Sequence, residues 1–312
     1  MTEIFDTIII GGGVTGFSAA MYAGRLKLNT LVISAIRGGT IILTNDIANW
    51  PGIKQTDGIT LAKQIEEHAL EYPEVKVKDA KVVKVVKTKE IYEVQIEDGE
   101  KFQSKTIIFA TGTEWKKLNV PGEKEYTGNG VHYCALCDGY AYKGKTIAVI
   151  GGADSAAKEA VLLTQWASKV YIIYRGTKIR PEPVNMTRVE NKIKEGKMEI
   201  VHNTNVVEIK GDGKRVTHAM LDKPYKGSKE FKIDGLFVEI GHIPQSQLAI
   251  SLGVNVNKKG DIIIDRGATT NVPGIYAAGD VVDTKFKQAI TGSAEGVLAA
   301  YSVYEYVRNE KL

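Results

Sequence analysis

The sequence predicts an α/β chain built from two Rossmann-like units, the first of them discontinuous. Three observations carry that expectation. A glycine-rich turn follows an apolar strand near the N-terminus, and the same pattern recurs at 146–173. An apolar strand and a final helix lie at the far end of the chain, where they need a sheet to join. The length of 312 residues agrees with roughly two domains of 100–200 residues each. Hydrophobic residues at 43% and charged residues at 25% describe an ordinary globular protein rather than a disordered one. Lys and Arg number 41 against 37 Asp and Glu, and the resulting +4 is too small to point to a nucleic-acid partner.

Along the chain, Thr7-Ile8-Ile9-Ile10 is a β-branched run of the kind buried in parallel sheets. Gly11-Gly12-Gly13-Val14-Thr15-Gly16 follows, then a helix from Phe17, then Leu31-Val32-Ile33 as a second strand ending at Ser34. Gly-x-Gly-x-x-Gly between strand and helix lets the backbone approach a pyrophosphate at a helix N-terminus. That context makes 11–16 a dinucleotide-binding turn, against the alternative of a glycine turn with no ligand. Lys81 to Glu97 alternates apolar and polar residues and reads as antiparallel strands. Thr146–Ile150 then leads into Gly151-Gly152-Ala153-Asp154-Ser155-Ala156, a helix, and Val170–Ile173. Ala153 replaces the middle glycine and narrows the approach to a pyrophosphate. Val206 to Ile240 again reads as antiparallel strands, with turns at 211–213 and 226–227. Segments 115–122 and 241–244 mix glycine, proline and polar residues and read as crossings between domains. The strand in Gly274–Asp280 and the last helix are expected to complete the first sheet. The expected domains are therefore 1–113 with 245–312, and 114–244.

Both cysteines of the chain stand in Cys134-Ala135-Leu136-Cys137-Asp138-Gly139. A disulfide closing so small a loop adds little stability, so a redox role ranks first for the pair. A metal site ranks second, because His132 supplies only a third ligand and zinc takes four. Inert core cysteines rank last. Thiols of Cys-x-x-Cys pairs have lowered pKa values, which supplies thiolate at working pH. Asp138 is placed to give and take the proton of dithiol–disulfide exchange, or else to serve as a turn residue before Gly139.

With these motifs together, the chain resembles the low-molecular-weight thioredoxin reductases over essentially its full length. The resemblance rests on the ordered series 11–16, Asn49-Trp50-Pro51-Gly52, Ala110-Thr111-Gly112, Cys134-x-x-Cys137-Asp138-Gly139, the second glycine turn, and Gly274–Asp280. Lys287-Gln288-Ala289 follows, like the family's Arg-Gln-Ala. It implies FAD in the first domain, held by Gly11, Gly12, Gly13, Val14, Thr15, Gly16, Ser34, Gly39, Thr40 and Asn49. Ala110, Thr111, Gly112, Gly279, Asp280, Lys287, Gln288 and Ala289 belong to the same set. Asp280 would hold the ribitol chain, and Gln288 and Ala289 would flank the isoalloxazine. Thr40 stands where the family has Gln, and the alternative for 49–52 is a surface turn around a buried aromatic.

In the second domain the resemblance implies a nicotinamide cofactor on Gly152, Asp154 and Ser155. Family members using NADPH carry His-Arg-Arg-x-x-x-Arg after the second strand, and here the stretch reads Tyr174-Arg175-Gly176-Thr177-Lys178-Ile179-Arg180. Arg175 and Arg180 remain, and no acid stands at the strand end to select NADH. NADPH is thus expected over NADH, with another reductant open. The implied reaction passes electrons from the nucleotide through FAD and the Cys134–Cys137 disulfide to thioredoxin or a glutaredoxin-like protein. Cys137 would face the flavin and Cys134 the partner, with 114–118 and 241–244 as hinges of a domain rotation. The rival readings are a flavin-dependent dithiol oxidase, a disulfide reductase fed by a non-nicotinamide donor, and a non-catalytic redox sensor. The N-terminus does not read as a signal peptide, and no apolar stretch approaches the roughly 18 residues of a membrane span. A cytoplasmic homodimer without resident metal is expected.

Overall fold

The computed structural model describes residues 3–44 and 47–309. The chain divides into two compact units, one of Met1–Glu114 with Ile243–Leu312 and the other of Trp115–His242. The expected crossings, 113/114 and 244/245, lie one and two residues from these divisions.

The first unit begins with β1 (Ile4–Ile10), α1 (Val14–Arg25), β2 (Thr30–Ser34), α2 (Gly58–Leu70) and β3 (Val75–Asp79). It continues through β4 (Val82–Thr88), β5 (Ile91–Ile96) and β6 (Lys101–Phe109) to the first crossing, β7 (Thr113–Trp115). The sheet order is β3-β2-β1-β6-β5-β4, parallel up to β6 and antiparallel beyond it. Ile8, Ile9 and Ile10 are buried because both faces of this central strand are covered. Asp57 caps α2, its side chain accepting the Thr60 N–H at 2.8 Å.

The second unit runs β8 (Val131–His132), α3 (Ala135–Asp138), β9 (Thr146–Ile150), α4 (Asp154–Leu163), β10 (Lys169–Ile173), α5 (Pro183–Lys194) and β11 (Met198–Val201). A three-stranded meander follows, β12 (Val206–Gly211), β13 (Val216–Tyr225) and β14 (Ser228–Lys232), then β15 (Gly235–Val238). Its main sheet is parallel, in the order β11-β10-β9-β15-β8. The chain then returns to the first unit through β16 (His242–Pro244), α6 (Gln247–Ile250), β17 (Ile275–Ala277) and α7 (Ala289–Asn309).

The C-terminal strand does complete the first sheet. β6 is nine residues long, and its two halves serve different neighbours. Lys101–Ser104 pair with β5, while Ile107–Phe109 pair in parallel with β17. α7 then packs on α1 where glycine permits close contact. A Cβ on Gly296 would lie 2.4 Å from the Thr15 carbonyl oxygen, and one on Gly292 would lie 2.5 Å from Thr15 Oγ1. Ala19, Ala20 and Ala23 of α1 share a core with Ala299, Ala300 and Val303 of α7.

Candidate active site

In the first unit the turn after β1 folds tightly onto itself. Gly11 has φ 112°, and a Cβ there would lie 2.2 Å from the Ala110 oxygen. A Cβ on Gly16 would lie 1.9 Å from the Gly11 oxygen, so only glycine lets α1 start so close to the strand. Ser34 Oγ, at the end of β2, accepts the Gly12 N–H at 3.0 Å and fixes the turn from the side. α1 starts at Gly13 with no side-chain cap and no acid in its first turn, which leaves its N–H groups for an anion. Gly39 comes up beside it, a Cβ there standing 3.0 Å from Gly13 Cα, and Thr40 next to it is exposed.

Other first-unit residues predicted from sequence gather on this turn's side of the unit. Asn49 Nδ2 donates to Gln288 Oε1 at 2.9 Å across 239 residues of sequence. Ala110 continues β6, its N–H donating to Ile10 O, and Thr111 Oγ1 donates to Gln245 O at 2.7 Å. Gly279 packs on Thr15, and its N–H donates to Glu295 Oε2 at 2.8 Å. Lys287 Nζ donates to Asp280 O at 2.9 Å and pairs with Asp261 at 2.5 Å. Glu295 and Asp261 were not legible as site residues, since each acts by holding another residue's backbone or side chain.

In the second unit the cysteine turn follows β8 at the carboxyl edge of the parallel sheet. A disulfide joins Cys134 and Cys137. Cys134 caps α3, its Sγ accepting the Cys137 N–H at 3.1 Å. That cap turns Cys134 inward, to 7% exposure, and leaves Cys137 open to solvent.

Asp138 does not stand alone. Its Oδ2 lies 3.0 Å from Nδ1 of the buried His132, and His132 Nε2 lies 2.7 Å from the Tyr142 hydroxyl. A carboxylate only accepts, so the proton of a neutral imidazole sits on Nδ1 and Nε2 accepts from tyrosine. Burial pulls the His132 pKa below its ordinary value against the opposing charge of Asp138. Burial likewise pushes Tyr142 up to about 12. His132 stacks on Phe237 with ring centroids 5.2 Å apart, so its orientation is fixed by packing as well.

The second glycine turn differs from the first in three ways. Ala153 is the N-cap of α4, Asp154 puts an acid in the helix's first turn, and Ser155 beside it is exposed. Asp154, expected on phosphate, is engaged elsewhere. Its Oδ1 accepts from Glu182 N at 2.9 Å and Asn185 Nδ2 at 2.8 Å, tying α4 to the start of α5. The Tyr174 ring lies between two glycines: a Cβ on Gly152 would meet it at 2.3 Å, and one on Gly176 at 2.6 Å. Tyrosine at 174 therefore explains glycine at 176. Arg175 and Arg180 are exposed on the same loop, with the Arg180 N–H donating to Gly152 O at 2.6 Å.

Residues 5–296 match the family described as pyridine nucleotide-disulphide oxidoreductase. A thioredoxin reductase of Bacillus subtilis (strain 168) is 39% identical over 315 aligned residues, covering 98% of this chain and 95% of its own. The crystal structure of Lactococcus lactis thioredoxin reductase shares a TM-score of 0.92 at 34% identity, covering 98% of this chain and 99% of that one. The T. acidophilum thioredoxin reductase structure gives 0.90 at 34% identity, with 97% and 99% covered. The likeness thus spans both glycine turns and the cysteine turn at once, in sequence and in fold, and the chain belongs to the pyridine nucleotide-disulphide oxidoreductase family.

Proposed function

We propose that this chain works as a thioredoxin reductase, using FAD in the first unit and NADPH in the second. Family membership implies a flavin and a nicotinamide cofactor, and the uncapped α1 N-terminus beside Gly39 is the cradle that suits the flavin's pyrophosphate. FAD, when bound, supplies two-electron transfer between the nicotinamide and the disulfide. Gly11, Gly13 and Gly16 would bind its pyrophosphate, Asp280 its ribitol chain, and Asn49 with Gln288 and Ala289 its ring system. Arg175 and Arg180 support NADPH over NADH, since each offers a guanidinium to a 2′-phosphate.

The observation that carries the reading is the Cys134–Cys137 disulfide beside the Asp138–His132 pair. Once the disulfide is reduced, one sulfur attacks the partner's disulfide as a thiolate and forms a mixed disulfide. The second sulfur then displaces the partner as a dithiol and restores the Cys134–Cys137 bond. Asp138, oriented by His132, takes and returns the proton of the thiol that attacks. The family resemblance also supports a cytoplasmic homodimer.

An anaerobic titration with NADPH and then NADH, followed by addition of oxidised thioredoxin, tests the whole. Flavin bleaching by NADPH and stoichiometric appearance of thioredoxin dithiol are expected. Cys134→Ser and Cys137→Ser should each lower thioredoxin turnover at least a thousandfold while flavin bleaching persists. Bleaching by neither nucleotide would sink the NADPH assignment.

A further inference from the structure

Three neighbouring parallel strands, β8, β15 and β9, bring the cysteine turn, Glu239 and the second glycine turn to one edge of the sheet. Two carboxyl groups lie there that the reaction above does not use. Glu239, next after β15, is 6% exposed, and its Oε1 is enclosed without a hydrogen-bond partner. Its carboxyl group adjoins that of the half-buried Glu159 from α4. Glu159 Oε2 also accepts the N–H of Ala135, the residue after Cys134, at 3.3 Å.

Two adjoining carboxyl groups, one with an oxygen enclosed and unpartnered, are satisfied by a proton held between them. Ionising both would add like-charge repulsion to two desolvation penalties. Burial raises the pKa of each above the ordinary carboxyl range, and for Glu239 the neighbouring Glu159 charge adds to it.

We infer that Glu159 and Glu239 hold one proton in common and couple it to the redox state of Cys134–Cys137, Glu159 acting as a positioning residue through the Ala135 N–H. The inference rests on that disulfide being the redox centre. Reduction adds two electrons, which the reductase reaction supplies, and breaks the S–S bond. It takes up two protons if both sulfurs end as thiols, and one if a thiolate remains. A thiolate near the pair strengthens the pair's hold on its proton, and by reciprocity that proton stabilises the thiolate. Once the pair has lost its proton, reduction must draw one back or set a thiolate near two negative charges. The pair therefore makes the disulfide harder to reduce as pH rises than the thiols alone would.

Other ionisable groups stand at the same edge of the sheet. Asp138 on the cysteine turn pushes Glu159 up further, and His132 of β8 faces Asp138. Asp154 at the start of α4 is tied to Glu182 and Asn185. Gly151 of the glycine turn lies against the main-chain carbonyl of Glu239 and adds no ionisable group.

The test is the equilibrium of the Cys134–Cys137 pair with dithiothreitol redox buffers from pH 6 to pH 9, read on the holoprotein by thiol alkylation and mass. Between those limits the wild-type reduction constant should fall about tenfold relative to Glu239→Gln, equivalent to about 30 mV for a two-electron couple. Glu239→Asp, which restores a carboxyl group, should follow the wild type. Parallel profiles for wild type and Glu239→Gln overturn the inference. A wild-type pair that never exchanges with the dithiol overturns the assignment of the redox centre, and the inference with it. If Glu239→Gln does not fold, reduced-minus-oxidised infrared difference spectra of the wild type decide. A protonated-carboxyl band that shifts on reduction, and is lost in Cys134→Ser/Cys137→Ser, supports the coupling; no such band overturns it.

Discussion

The two glycine turns share a strand–turn–helix plan, yet they are built for different tolerances. The first keeps glycine wherever the backbone closes on itself, and it starts α1 with no acid and no side-chain cap. The second carries Ala153, an acidic Asp154 at the start of α4, and a tyrosine ring laid over Gly152. A helix N-terminus attracts anions through its free N–H groups and its dipole. At the second turn Asp154 already supplies a negative charge there. The same motif thus marks a bare anion cradle in one unit and a partly furnished one in the other.

The largest expected effect breaks the first turn. Gly16→Val forces side-chain atoms into the space of the Gly11 oxygen, and the purified protein should be colourless and gain no flavin absorbance on reconstitution. Retained flavin would show that the first turn is not the binding site.

A smaller effect concerns the nucleotide loop. Gly176→Arg alone should lower thermal stability without raising the NADPH/NADH ratio in kcat/KM, because its Cβ meets the Tyr174 ring at 2.6 Å. Tyr174→His/Gly176→Arg removes that obstacle and adds a guanidinium worth roughly 1.5–3 kcal/mol to a 2′-phosphate. The ratio should then rise about ten- to a hundredfold. A rise with Gly176→Arg alone would mean that Tyr174 swings aside.

Smaller still, Asp154→Asn removes the charge but can keep an oxygen for Glu182 N and Asn185. Nucleotide should bind about two- to fivefold more tightly by calorimetry, the range of roughly 0.3–1 kcal/mol for one charge at a helix terminus. Unchanged affinity would place the phosphates away from the α4 N-terminus.

The smallest effect is on stability. Burial lowers the proton affinity of His132 in the folded chain, so on acidification the unfolded chain takes the proton first. The stability that neutral His132 contributes is complete above roughly pH 6.5 and is lost as pH falls below it toward the lower folded value. In chemical denaturation, the wild-type advantage over His132→Gln should shrink from pH 7 to pH 5. A gap that stays constant over this range would deny the titration of His132 any part in stability.

The features legible in the sequence are those with short reach. A glycine turn between strand and helix, or two cysteines three residues apart, declare themselves within twenty residues, because local backbone geometry demands those residue types. The closing of the first sheet by β17 was also readable, since an apolar strand with no partner nearby must find one. Tyr174 over Gly152 and Gly176, His132 behind Asp138, and Glu159 against Glu239 depend instead on strand register and helix placement. Glu239 did leave a trace. It is an acid inside the apolar run Leu236-Phe237-Val238-Glu239-Ile240, where a buried charge is costly enough to ask for a reason. The inward turn of Cys134 left none, because it follows from the cap geometry of α3.

The two-part construction of the first unit also sets an order of events on the ribosome. Residues 115–242 form one uninterrupted stretch, so the second unit has all its strands before the first does. Until residues 275–309 emerge, β6 lacks its β17 neighbour, and the alanine face of α1 has no α7 against it. A nascent chain that has emerged only to about residue 250 would therefore carry a finished second unit and a first unit with an open apolar flank. Such half-covered intermediates are the species that chaperones engage. Truncations from the C-terminus should accordingly strike the unit that contains the N-terminus and spare the one in the middle.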